Sequence, residues 1–154
     1  MAMLTSRRAV VVGVIAAVPL AGAISWMARD TTRFTQAGAA LRAPLDLSAT
    51  GDARLSELVR FATLAPNSHN TQAWRFAGDA EQITLTPDPS RATPVVDPDE
   101  HHTFVSLGAT AETLAIAASA YGLSARTAFD PAGRSLRIAL TPGAETSPLL
   151  PAVT

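Results

Sequence analysis

The sequence predicts an α+β lobe in which helices pack with short β hairpins, preceded by an apolar segment with the character of a signal or anchor helix. Three observations carry that expectation. Residues 51–66 and 101–121 place apolar side chains at helical spacing. Each stretch is followed by two short alternating runs around a turn, the pattern of a hairpin. Residues 9–28 contain no charge at all, over about the length a helix needs to cross a bilayer core.

The chain starts with a short basic stretch that ends in Thr5-Ser6-Arg7-Arg8, then runs AVVVGVIAAVPLAGAISWMA. A basic start followed by an apolar run is a secretory signal, and Ala21-Gly22-Ala23 supplies the small residues that a signal peptidase accepts. The Arg pair directly before the run resembles a twin-arginine signal, although no Phe or Lys follows it. Apolar residues continue to Met27, which leaves an uncleaved anchor as the other reading of residues 1–28. The protein is expected to be exported, either periplasmic or anchored in the inner membrane.

Residues 29–50 read as a linker with a short helix over Thr35–Arg42. In GDARLSELVRFATLAP, the residues Leu55, Leu58, Val59, Ala62 and Ala65 form one helical stripe, with Thr50 or Asp52 available as a cap and Pro66 ending the helix. Strands are expected at Trp74–Phe76 and Gln82–Thr86 around a Gly78-Asp79 turn. Four prolines between Thr86 and Asp99 predict an extended surface connection. The second helix, His101–Tyr121, aligns Phe104, Leu107, Ala111, Leu114, Ala118 and Tyr121, and Gly122 stops it. Its small residues suggest a closely packed neighbour, with a partner surface as the expected one. A second hairpin joins Leu123–Phe129 to Ser135–Leu140 through Asp130-Pro131-Ala132-Gly133. The lobe thus spans 51–141, and 142–154 is a tail whose Leu149, Leu150 and Val153 look like the opening of another element.

Composition removes several chemistries. The 154 residues include no cysteine, so disulfides, thiolate zinc sites, iron–sulfur centres and a Cys nucleophile are excluded. All twelve cations are Arg; without lysine there is no Schiff base and no P-loop lysine. A net charge of −1 with no basic run beyond one Arg pair argues against a nucleic-acid surface. Glycines never form G-x-G-x-x-G, so no dinucleotide-binding Rossmann unit is predicted. Asp97-Pro-Asp99-Glu100-His101-His102 invites a metal reading, but adjacent His residues diverge by about 100° on a helix. Capping by Asp97 or Asp99, with a solvent-facing His pair, accounts for that cluster. Ser68-His69 has no nucleophile elbow around it and predicts no hydrolase.

The informative segment is ATLAPNSHNTQAWRF, residues 62–76. Asn70 and Gln72 each carry a carbonyl acceptor and an amide donor pair. At spacing i, i+2 on an extended segment they point to one side. That pair suits a planar heterocycle with alternating acceptors and N–H groups along its rim; ordinary turn chemistry is the competing explanation.

The same segment, A-T-L-A-P-x-S-H-N-T-Q-x-W-R-F, resembles the signature of nitroreductase-like flavoproteins, and most closely the two-lobed Acg-type branch. Leu58-Val59-Arg60-Phe61, Arg91–Asp99 (RATPVVDPD) and Ser106-Leu107-Gly108-Ala109 extend the resemblance, which covers about Leu55–Leu140. It implies an FMN-binding α+β fold in which two lobes enclose the flavin. Pro66, Ser68, Asn70 and Gln72 would then lie along the isoalloxazine or its ribityl chain, with no protein side chain in the covalent chemistry and no metal. FMN takes a hydride from NAD(P)H and passes it to a nitroaromatic, quinone-type or flavin acceptor. Asn67 stands where the family has Ser, and Ala73 where it has Pro; losing that Pro relaxes the extended geometry expected at Gln72. The chain ends about where the Arg-rich, phosphate-binding segment of a second lobe is expected. The working unit is therefore expected to need a homodimer or a second lobe, and Arg60, Arg75 and Arg91 offer no obvious phosphate site. A non-catalytic flavin-holding or interaction module, or a truncated product without function, is the alternative.

Overall fold

A computed structural model describes residues 31–153. The signal or anchor segment expected at residues 1–28 lies outside the described residues. No helix among the described residues is long and apolar enough to cross a membrane. Residues 31–41 form helix α1, where Thr35 Oγ1 donates back to the carbonyls of Thr31 and Thr32 at 2.8 and 3.0 Å. The compact unit that follows runs Leu41–Thr154. It takes in ten residues before the expected lobe boundary as well as the tail after it.

The unit is mixed α+β. Helices α2 (Gly51–Ala62) and α3 (His101–Ser119) join a four-stranded antiparallel sheet of β1 (Trp74–Gly78), β2 (Gln82–Pro87), β3 (Leu123–Asp130) and β4 (Ser135–Pro142), in the order β1-β2-β4-β3. Both expected hairpins form, with Trp74 opposite Pro87 in the first and Asp130 opposite Ser135 in the second. Strand alternation then decides which face is buried. Ile83, Leu85, Ile138 and Leu140 point into the core, while Arg75, Arg126 and Arg137 stand on the open face.

Helix α3 fills the centre of this core. Leu107, Ala111, Leu114, Ala117 and Ala118 meet Leu58, Phe61 and Ala62 of α2 and the inner residues of the sheet. Ten of its nineteen residues are buried, too many for a single stripe. Its small residues are therefore used within the lobe, where α2, the sheet and the tail cover them, and not at the partner surface expected from their size. Only its first twelve residues keep an exposed edge, at His101, Val105, Gly108 and Glu112.

Three local expectations need correction. Thr50 occupies the N-cap of α2 in an extended conformation, but neither it nor Asp52, which sits in the first turn, makes a side-chain cap bond. The Pro-rich connection is not extended throughout. It folds a 3₁₀ turn at Pro89–Arg91, because Asp88 Oδ1 accepts from Ser90 N at 3.0 Å and holds the turn closed. The tail also has structure of its own: Ser147 N donates to Ser119 Oγ at 2.8 Å, and a 3₁₀ turn at Leu150–Ala152 lays Leu150 and Val153 against the core.

The strap before α2 is held by charge. Arg60 Nη1 donates to the carbonyls of Leu41 (2.7 Å) and Ala43 (2.9 Å), and Nη2 to Pro44 (3.2 Å). Glu57 fixes the guanidinium at 2.6 Å and also accepts from Asp46 N. The hydrogen bond between Arg60 and Glu57 lowers the Glu57 carboxyl and raises the Arg60 guanidinium from their ordinary ranges. Tyr121 Oη completes the strap by donating to Asp46 O at 2.9 Å.

Candidate functional site

The expected site residues fall in the loop between α2 and β1. Pro66, His69 and Asn70 are exposed, while Ser68 and Gln72 are half-buried. The backbone here departs from expectation. Ser68–Asn70 is a single 3₁₀ turn, and His69, Asn70 and Gln72 have φ of 51°, 53° and 49°. The segment is therefore not extended, and the argument that i, i+2 spacing turns the two amides to one side does not hold. Both amides instead project from left-handed residues, a conformation that costs a side-chain-bearing residue roughly 1–2 kcal/mol.

The loop is held in this shape from outside its own turn. Asn67 is the inner clamp: its Oδ1 accepts from Gln72 N at 2.9 Å, and its Nδ2 donates to Ala65 O at 3.2 Å. A serine at this position has one shorter polar arm and could not reach both groups, so the asparagine has a structural use. Ala73 fits as well, since a proline there would press Gln72 out of the α-type backbone it adopts. From α3, Ser106 Oγ accepts from Ser68 N at 3.0 Å and donates to His102 O at 2.7 Å. From the Pro89–Arg91 turn, Arg91 Nη1 donates to Thr71 O at 3.1 Å. Trp74, buried in the core, anchors the exit, and its N–H donates to Gln72 O.

The start of α3 rests on one carboxylate. Asp97 is 3% exposed; its Oδ1 accepts from His102 N and its Oδ2 from Thr103 N, both at 2.9 Å, and from Thr103 Oγ1 at 2.7 Å. Burial would raise this carboxyl, but the hydrogen bonds from Thr103 and His102 outweigh it and hold the group at about 2. Asp97 thus satisfies first-turn N–H groups as the sequence led one to expect, although Glu100 holds the N-cap position itself in a left-handed conformation, and the exposed His pair sits above. Asp88 is likewise held at about 2, by Arg75 and then Ser90. Both turns that contact the loop or its supporting helix therefore carry an ionised, hydrogen-bonded carboxylate.

The side chains of Ser68, His69, Asn70 and Gln72 make no hydrogen bond or ion pair among the described residues. The loop thus spends its backbone and its clamp on shape while leaving two amides, a hydroxyl and an imidazole open. Asn67, Ser106 and Arg91 are the residues that sequence reasoning did not assign to the site. Ser106 and Arg91 lie in the segments that carried the family resemblance, and that was the available signal.

Cavities among the described residues border the core. One, of about 270 Å³, lies between α2 and the edge strand β1 and is lined by Leu55, Val59, Phe76 and Ile83 among others. The second, of about 200 Å³, touches the loop at Pro66 and is otherwise lined by Arg42, Leu64, Ala65, Thr113, Ala152 and Val153.

The fold and site define an α+β lobe with an exposed, strained polar loop. No family model matches the sequence, and a search of curated proteins returns no significant match.

Proposed function

We propose that the chain is a nitroreductase-like, FMN-binding oxidoreductase lobe, exported from the cytoplasm, whose loop 66–72 lies along the flavin. The observation that carries this reading is the contrast within that loop. Backbone strain is held by Asn67, Ser106 and Arg91, while the side chains of Ser68, Asn70 and Gln72 make no hydrogen bond among the described residues. Strain of this kind persists where surrounding structure over-determines it, and it gathers at ligand sites.

The free groups fit the cofactor. Two primary amides offer donors and acceptors together, as a ring rim with alternating N–H and carbonyl groups requires. The Ser68 hydroxyl and the Pro66 ring suit a polyol chain lying against them. When bound, FMN supplies the hydride chemistry, with NAD(P)H as donor and a nitroaromatic or quinone-type compound as acceptor. The chain's own residues orient the ring. Asn70 and Gln72 bind its edge, Asn67 keeps Gln72 in place, and Arg91 fixes the carbonyl between the two amides.

Asn70 is exposed, so this lobe alone leaves water at the loop. A second copy or a second lobe covers it in the working enzyme. That same openness favours a second reading, a flavin holder without turnover.

Purified full-length protein separates the two. An enzyme carries the flavin's visible absorption and bleaches with NADH or NADPH; a holder keeps its colour. Asn70→Ala is expected to weaken flavin retention about tenfold, the effect of losing one good hydrogen bond. Unchanged retention removes the site assignment.

A further inference from the structure

Beside the loop of the proposed flavin site, a buried acid and an exposed base stand in a geometry that support of the helix start does not account for. Asp97 is 3% exposed and is already engaged by Thr103 and by the backbone of His102. Its Oδ1 also lies 3.3 Å from His102 Nδ1, while the imidazole stays 61% exposed. A ring held at Nδ1 by a carboxylate has its tautomer and orientation fixed, and it presents Nε2 outward. Two separate contacts tie this pair to the loop. Ser106 follows His102 by one helical turn, on the same face of α3. Its Oγ accepts from Ser68 N at 3.0 Å and donates to His102 O at 2.7 Å. On the other side Arg91 donates to Thr71 O at 3.1 Å, and the connection that leaves Arg91 arrives six residues later at Asp97. Between those anchors Val95 and Val96 are exposed, an apolar surface of the kind that a planar aromatic compound covers.

We propose that His102 is the proton donor to a quinone-type acceptor at this loop, and that Asp97 is the residue that positions it. The inference rests on the flavin reading and adds the acceptor's half of the reaction. Reduction of a quinone to a hydroquinone consumes one hydride and one proton. The hydride comes from NAD(P)H by way of the flavin, and the proton from His102. The Nε2–H bond of the imidazolium breaks, its electron pair stays on nitrogen, and an O–H bond forms on the quinone oxygen that carries the negative charge. The neutral ring keeps its other proton on Nδ1, facing Asp97, and regains the lost one from water, to which its exposure leaves it open. The charges around it are otherwise engaged. His101 meets the His102 ring edge-on at 5.5 Å, and Asp99 Oδ1 accepts from His101 N at 3.4 Å. Glu100 pairs with Arg134. The loop's own imidazole, His69, makes no ion pair among the described residues, so Asp97 singles out His102 among the three histidines.

The test uses the full-length chain loaded with FMN, NADH as donor and two acceptors: menadione, which needs a proton, and ferricyanide, which takes electrons alone. His102→Gln changes an exposed side chain, and thermal melts verify that it folds. It is expected to lower kcat for menadione at least about tenfold with KM unchanged, and to leave ferricyanide reduction as in wild type. His101→Gln, on the exposed neighbour, should match wild type with both acceptors. A loss shared by both acceptors in His102→Gln, or a loss with neither, overturns the donor role while the flavin reading stands. If wild type binds FMN and reduces neither acceptor, the chain is a flavin holder and the donor role falls. Absence of FMN binding overturns both. A second readout needs no flavin: ¹⁵N NMR of the wild-type chain should find the neutral His102 ring protonated on Nδ1. A ring protonated mainly on Nε2 overturns the positioning by Asp97, whatever the activity.

Discussion

The β1–β2 turn and the 66–72 loop solve the same problem, a reversal of the chain beside the sheet, in opposite ways. At the turn, Gly78 takes φ of 137°, and a Cβ there would meet Gln82 O at 2.0 Å. Asp79 Oδ1 then accepts from both Glu81 N and Gln82 N at 2.9 Å. A glycine relieves the backbone and the polar side chain is spent locally. In the loop, three side-chain-bearing residues take positive φ, and support comes from Asn67, Ser106 and Arg91 while their own side chains are left open. The turn is built for stability alone. The loop gives up stability where glycine was available, and what it gains is a set of unspent polar groups.

The largest effect is expected where the turn's solution is broken. Gly78→Ala forces a Cβ into backbone and should lower unfolding free energy by about 2–4 kcal/mol in urea titrations. A loss under about 1 kcal/mol would mean that the turn relaxes and that the contrast is weaker than drawn.

Removing the loop's clamp comes next. Asn67→Ala strips Gln72 N of its acceptor and should cost about 1–3 kcal/mol. It should also weaken flavin retention, because Gln72 is no longer held. Asn67→Ser leaves a shorter acceptor and should recover little of either.

Gln72→Gly sharpens the comparison with a smaller change of opposite sign. Relief of a left-handed residue outweighs the added chain entropy of glycine, so stability should rise by about 0.5–1 kcal/mol. Flavin retention should fall in the same variant. Gain of stability with loss of binding is the signature of strain kept for a site; a gain with unchanged binding would assign the strain to the fold and not to function.

Much of the architecture was legible because it follows from periodicity. The stripe of α2 as far as Ala62, that of α3 as far as Ala118, both hairpins, the Asp130 turn and the support from Asp97 come from spacing and turn chemistry, whereas α2 stops four residues before the expected Pro66 and α3 two before Tyr121. What was not legible depended on neighbours distant in sequence. The small residues of α3 read as an external interface, but the elements that cover them, α2 and the tail, are known only once the chain has closed around the helix. Of the left-handed residues His69, Asn70 and Gln72, the first two are types enriched at positive φ, but Gln72 carries no local signal. Asn67 and Ser106, 39 positions apart in the numbering, impose the loop's backbone together. The spacing of Asn70 and Gln72 suggested an extended segment with both amides on one side, and the left-handed backbone at both positions does not have that geometry.

The effect confined to acid comes last, and it separates the spent carboxylates from the loop. Asp97 and Asp88 are both held at about 2, below the ordinary 3.8, while residues 66–72 contain no carboxylate. A carboxyl lowered on folding contributes stability that is present above its unfolded value and is lost as pH falls toward its folded one. Stability should therefore be level in this respect above about pH 5 and decline between about 4 and about 2. The connection 88–103 softens first, because its backbone N–H groups depend on those two ions. Asp97→Asn tests this directly by urea titration across that range. The variant should be weaker than wild type at neutral pH, and the two curves should converge in acid as wild type loses the same ion. A gap between them that keeps its size down to pH of about 2 would show that Asp97 acts through shape and not through its charge.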